Sequence, residues 1–139
     1  MRIHLMVFSS ILVLAAGGIA AAQMTSAGLA TERGMEQQNN SGQAGFVTLV
    51  ERGEKTLVNI RLDGAPAGRV EPAHVHRGEC PKINPAPAYP LNPVVNGRST
   101  TLVNVPLSRL VSGNYSVNVH ASAKNLTHYV SCGYLTPGT

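Results

Sequence analysis

A series of short apolar segments, each ended by Gly, Pro, Asn or Asp, constrains this chain more than any other feature. In segment 55–62, Val58, Ile60 and Leu62 fall on one side, which is the period of a half-buried strand. Further strand-like segments are found at 46–50, 70–77, 100–105, 115–120 and 129–135. Because strands and turns follow one another with almost no helical periodicity, we predict an all-β fold, an antiparallel sandwich or barrel.

Two segments depart from the strand pattern. Residues 78–98 contain five prolines, which exclude a helix and a central strand, so we predict a long loop there. Residues 106–111 begin with Pro106 and are followed by Gly113, the arrangement typical of a short helix.

The N-terminus has the composition of an export signal. Residues 5–22 carry no charge and end in three alanines, the small-residue pattern that signal peptidases accept. We predict a cleaved signal peptide over residues 1–22 and an extracytoplasmic, periplasmic or secreted protein; the alternative is a membrane anchor near the lower length limit for a span. Residues 23–43 are rich in Gln, Asn, Ser and Gly, which predicts a flexible, dispensable lead-in to a domain over residues 44–139.

The charge of the mature chain is mild. Loss of Arg2 with the signal would leave ten Lys and Arg against seven Asp and Glu, a net charge of +3. These charges are scattered and form no basic run, so we expect no nucleic-acid partner, and no membrane partner after signal cleavage.

Two cysteines, Cys80 and Cys132, remain in the mature chain. An even number of cysteines in an exported protein favours a disulfide. The alternative is a pair of thiolate metal ligands, although the two-residue Cys spacing of zinc sites is absent.

Three histidines fall on predicted strand positions that turn away from the core. His74 and His76 are two residues apart, so both leave the same face of a strand while Val75 points to the core. The alternation in segment 115–120 places His120 on the outer face as well. If the two strands are neighbours, three imidazoles meet, and neutral imidazole suits Cu, Zn, Fe and Ni. Surface histidines without a ligand role are the alternative.

The same segments carry a family resemblance. Residues 73–80, Ala-His-Val-His-Arg-Gly-Glu-Cys, resemble the His-x-His strand of copper/zinc superoxide dismutases, in which a disulfide cysteine follows shortly after. Residues 115–122 resemble the strand that supplies a further copper histidine, and residues 131–135 resemble the Ala-Cys-Gly segment of the second disulfide cysteine. The segments are also similar to the CHRD module of chordin-like and bacterial secreted proteins. The resemblance covers about residues 44–136.

This resemblance implies a Greek-key, immunoglobulin-like sandwich with one copper ion held by His74, His76 and His120, which would also be the catalytic residues. Departures from the dismutase pattern restrict the expected chemistry. Pro90 stands in place of the metal-bridging histidine, and the remaining zinc ligands have no counterpart, so we expect no zinc. Tyr129 stands in place of the arginine that guides superoxide, which implies slower dismutation.

His128, just before the last predicted strand, is a candidate fourth ligand or anion contact, the alternative being an exposed loop histidine. Three functions follow from these observations. The chain is a copper-only, dismutase-like enzyme with superoxide as its small-molecule substrate, a copper carrier without turnover, or a CHRD-type structural or interaction module whose histidines bind no metal.

Overall fold

The fold is known from a computed structural model that describes residues 28–137, so the predicted signal peptide lies outside the described residues. The secondary-structure elements are β1 Ala30–Gln37, β2 Ala44–Arg52, β3 Lys55–Asp63, β4 Val70–Glu79, β5 Lys82–Val95, β6 Arg98–Val103, α1 Leu107–Ser112, β7 Tyr115–Ser122 and β8 Asn125–Tyr134. Within residues 28–137, no helix is long and apolar enough to cross a membrane.

The eight strands form one closed antiparallel barrel in the order β1-β2-β3-β6-β5-β4-β7-β8. Strands β4, β5 and β6 are consecutive neighbours, and the chain then returns through α1 to place β7 beside β4. This order is that of a Greek key. The predicted all-β sandwich or barrel is therefore confirmed, as is the short helix after Pro106.

Period-two alternation decides which side chains fill the barrel. In β3, Val58 and Ile60 are buried, while Arg61 between the buried Ile60 and Leu62 is exposed. The same alternation buries Val75 in β4 and Val117 in β7. Burial of these apolar side chains supplies the main driving force for the fold, and the side chains between them are left on the outer wall.

The prediction that residues 23–43 form a flexible lead-in is wrong for residues 30–37. These residues form β1, which pairs with β2 from Ala30↔Val50 to Met35↔Gly45 and with β8 through Glu36↔Cys132. The sequence shows no apolar period here because Met35 is the one hydrophobic side chain that β1 buries in the core. Backbone hydrogen bonds to two neighbours hold the rest of the strand, and these depend little on side-chain type. Residues 23–27 lie outside the described residues.

The prediction of a long loop over residues 78–98 is also wrong, because most of this segment forms β5. Prolines are tolerated here because the ladder around β5 is incomplete. Its pairing with β4 contains three register shifts, and its pairing with β6 is limited to Val95↔Arg98. Proline fits an extended backbone and is excluded only where the ladder needs its missing N–H.

Candidate metal centre

His74, His76 and His120 meet on the outer wall of the barrel, where β4 and β7 are neighbours. The register pairs His74 with Asn118 and His76 with Ser116, and His120 lies two residues beyond Asn118 on the same face. Each of the three side chains offers a ring nitrogen within 4.8 Å of the others. The structure thus brings together the three histidines that the sequence pattern singled out.

Two of the rings are oriented by backbone carbonyls. His76 donates from Nδ1 to the Asn84 carbonyl at 2.8 Å, and His120 donates from Nδ1 to the Leu126 carbonyl at 2.7 Å. Because a carbonyl oxygen accepts but cannot donate, each neutral ring carries its proton on Nδ1 and a lone pair on Nε2. Carbonyl partners of this kind fix the tautomer of metal-binding histidines. Sequence analysis missed both of them, because a carbonyl group leaves no trace in residue identity.

The Nε2 atom of His76 is buried and has no hydrogen-bond partner among the described residues. The His76 side chain is only 1% exposed, so water does not reach it freely. A buried acceptor without a partner is costly, and a bound cation would remove that cost. The orphaned atom therefore fits a metal site.

His74 completes the group through its other ring nitrogen. Its Nδ1 lies 3.0 Å from Nε2 of His120. Since Nε2 of His120 holds a lone pair, Nδ1 of His74 carries the hydrogen that lies between them in the metal-free protein. Metal binding through Nδ1 of His74 would move the proton of this ring to Nε2.

The spacing of the three nitrogens is close to that of a coordination shell around one ion. Two nitrogen ligands at about 2.0–2.1 Å from one ion are at most about 4.2 Å apart. The 3.0 Å pair already satisfies this limit, whereas the 4.8 Å bound on the whole group allows a gap that a small movement of one ring would close.

The surroundings of all three imidazoles favour the neutral form that binds metals. Burial lowers the pKa of His74 below its usual 6.5, and the charges of His120 and His76 lower it further. Burial likewise lowers the pKa of His76 and of His120, against hydrogen bonds to backbone carbonyls that act in the opposite direction. Neutral imidazoles present lone pairs without competition from bound protons.

His128 and Tyr129 lie in β8, close along the chain to the centre. The structure does not bring His128 into the three-histidine group; its side chain is exposed. Tyr129, which pairs with His120 across β7 and β8, places its ring edge-on to that imidazole with 5.2 Å between ring centroids. An aromatic ring thus contacts the centre where the resemblance expects a guiding arginine.

The predicted disulfide between Cys80 and Cys132 is confirmed. It excludes both sulfurs as thiolate metal ligands. The bond joins the turn after β4 to β8, so it connects the His-x-His strand to the last strand of the barrel. Cys132 also pairs across the sheet with Asn118, so the disulfide lies on the face that carries the histidines.

Asn118 is a further polar residue that is buried on this face. The sequence pattern did not single it out. The side chain is fully buried between the registers of His74 and Cys132, and neither its oxygen nor its nitrogen has a protein partner among residues 28–137. The sheet face between the disulfide and the histidines therefore contains a buried polar side chain.

Comparison of the sequence with protein-family models and with curated proteins gives no match. The function is therefore inferred from the chemistry of the three-histidine group and its surroundings.

Proposed function

We propose that this chain is an exported, dismutase-like copper protein in which His74, His76 and His120 bind one copper ion and no zinc. The observation that carries the proposal is the buried lone pair on Nε2 of His76, which lies beside two further imidazole nitrogens. Three imidazole nitrogens on one sheet face are a more specific feature than the His-x-His pair alone, because the third histidine comes from a different strand.

The ligand type favours copper. Imidazole nitrogens suit the first-row metals, and copper(II) stands highest among them in affinity for a given nitrogen site. The likeness of the three segments to dismutase copper strands points the same way. The Cys80–Cys132 disulfide supports an extracytoplasmic location, because such bonds persist in oxidising compartments.

We further propose that the site removes superoxide. When bound, copper supplies one-electron chemistry, cycling between Cu(II) and Cu(I) as one superoxide is oxidised to dioxygen and another, with two protons, is reduced to hydrogen peroxide. The residues of the chain hold and orient the ion and keep protons off its ligands. With Tyr129 in place of a guiding cation, we expect association with superoxide to be slower than in complete family members.

Copper titration of the metal-free mature protein tests the binding site. We expect one Cu(II) per chain, with nitrogen couplings in the electron paramagnetic resonance spectrum. His76→Ala and His120→Ala should each lower the affinity at least ~10-fold, because one lost ligand leaves an incomplete shell. His128→Ala is the matched control and should bind copper as the unmodified protein does, since His128 is exposed and outside the group.

Superoxide decay after pulse radiolysis then tests turnover. Decay that is accelerated by the copper-loaded protein and lost in His120→Ala supports the enzyme. Copper binding without accelerated decay contradicts the enzyme and leaves a copper carrier. If the titration shows no specific site, both metal functions fail and a CHRD-type module remains, in which the hydrogen bond between His74 and His120 serves packing.

A further inference from the structure

A groove of about 380 Å³ crosses the outer wall formed by β1, β2, β3 and β6. In the strand order this wall lies half-way around the barrel from the β4–β7 pair that carries the histidines. The lining side chains used below are those of Glu32, Phe46, Asn59, Arg61, Arg98 and Thr100. This groove is separate from the metal centre and none of its residues takes part in the proposed copper chemistry.

Two arginines lie side by side in this groove. Arg61 of β3 and Arg98 of β6 are directly opposite in the register, and both are exposed. Like charges at directly opposite positions destabilise a sheet. Neither guanidinium makes a side-chain hydrogen bond or ion pair within residues 28–137. The pair therefore costs stability and offers a set of unused donors, an arrangement that an anion would complete.

The carboxylates on this wall leave the arginines available. Glu32 accepts a hydrogen bond from Thr48 at 3.2 Å, two strands away from Arg61 in the order β1-β2-β3. Asp63 lies two residues further along β3 than Arg61 and pairs with Ala44. Neither carboxylate comes within the 4 Å of an ion pair with the two guanidiniums.

An aromatic platform and an amide flank the arginines. Phe46 pairs with Arg61 on the side away from Arg98, so the three side chains form one row across the wall. The Phe46 side chain is 52% exposed, so its ring is accessible to a ligand. In the next row, the Asn59 oxygen accepts from Thr100 at 2.9 Å, which leaves the Asn59 amide hydrogens as donors.

We propose that this groove binds an acidic sugar unit of an extracytoplasmic polysaccharide. The planar forks of Arg61 and Arg98 match a carboxylate. The apolar face of a pyranose ring would pack on Phe46, and its hydroxyls would meet the amide hydrogens of Asn59. The groove contains two arginines, Arg61 and Arg98, and the carboxylate of Glu32. This set does not form the continuous basic stripe that nucleic-acid binding needs.

Titration calorimetry with defined probes tests this inference. We expect the mature protein to bind trigalacturonate, and to bind the neutral galactotriose and inorganic phosphate at least ~10-fold more weakly. Arg61→Gln, Arg98→Gln and Phe46→Ala should each weaken trigalacturonate binding by a similar factor. Arg69→Gln replaces an exposed arginine outside the groove and should leave the affinity unchanged.

Thermal unfolding separates loss of binding from loss of the fold. Arg61→Gln and Arg98→Gln should unfold at the same temperature as the unmodified protein or higher, because each removes the like-charge pair. The proposal is overturned if trigalacturonate does not bind, if phosphate binds as tightly and Phe46→Ala changes nothing, or if Arg69→Gln weakens binding as much as Arg98→Gln.

Discussion

At the scale of single residues, the candidate centre depends on which atom of each imidazole is already used. His76 and His120 each donate a hydrogen bond from Nδ1 to a backbone carbonyl, which leaves the lone pair of Nε2 for the three-histidine group. His74 differs from them, because its Nδ1 forms a hydrogen bond with His120, so that binding a metal through this atom needs the other tautomer. The burial that lowers the pKa of these rings also makes the stability of the folded protein depend on pH.

We predict that the metal-free protein loses stability as the pH falls below about 6.5. The folded state lowers the pKa of His74, His76 and His120 below 6.5, so the unfolded chain takes up these protons more readily. The stability is complete above the unfolded-state pKa and is lost as the pH falls toward the folded-state values.

Urea unfolding of metal-free protein at about pH 7.5 and about pH 5 measures this loss. A variant with His76 and His120 both replaced by Phe should show a smaller difference between the two pH values. His128→Ala is the control and should keep the full difference, since its ring is exposed and outside the group. Equal stability at both pH values would contradict the prediction.

At the scale of elements, the centre depends on two strands that are distant in sequence and adjacent in space. β4 and β7 are held together by the registers between Ala73↔Val119 and Arg77↔Tyr115. The segment Lys82–Val95 and the start of β8 contribute the carbonyls of Asn84 and Leu126. β1 closes the barrel on the other side of β8 and so supports the wall that carries the centre.

We predict that β1 is essential to the fold. Met35 is 1% exposed and packs into the core, whereas Leu29, just before the strand, is 70% exposed. Met35→Ala should lower the free energy of unfolding by ~2–5 kcal/mol, because it leaves a cavity in the core. Leu29→Ala should change it by less than about 0.5 kcal/mol. Denaturant unfolding compares the two, and equal small effects would mean that β1 is not held in the barrel.

At the scale of the whole molecule, one covalent bond joins distant parts of the barrel. The Cys80–Cys132 disulfide spans 52 residues and connects the turn after β4 with β8. The candidate metal centre and the groove that contains Arg61 and Arg98 lie on opposite walls, so a ligand in the groove would leave the histidines free.

We predict that removing the disulfide lowers the free energy of unfolding by about 4 kcal/mol, the value expected from chain entropy for a loop of this length. Cys80→Ala combined with Cys132→Ala should lower it, and reductant should destabilise the unmodified protein to a similar extent. The double variant should not respond to reductant. Copper affinity of the double variant should also fall, because β4 and β8 then hold the centre less firmly. Unchanged stability on reduction would refute the stabilising role.

Six of the eight strands could be predicted from the sequence, namely β2, β3, β4, β6, β7 and β8. The short helix and the outward direction of His74, His76 and His120 could be predicted as well. Period-two alternation is a local property, so the residue pattern within each of these strands indicates which side faces the core. The pairing of Cys80 with Cys132 could also be predicted, because the predicted export signal and an even cysteine count suffice to suggest it.

Only the tertiary structure decided what lies next to what. The sequence analysis missed β1 because Met35 is its one apolar core residue. It missed β5 because the prolines predicted a loop, and the sequence does not show that the ladder around this strand is incomplete. The 3.0 Å approach of His74 to His120 and the carbonyls that orient the rings depend on strand pairing across 46 residues of sequence. Such pairing is non-local, and backbone groups are the same at every residue, so neither leaves a local pattern to read.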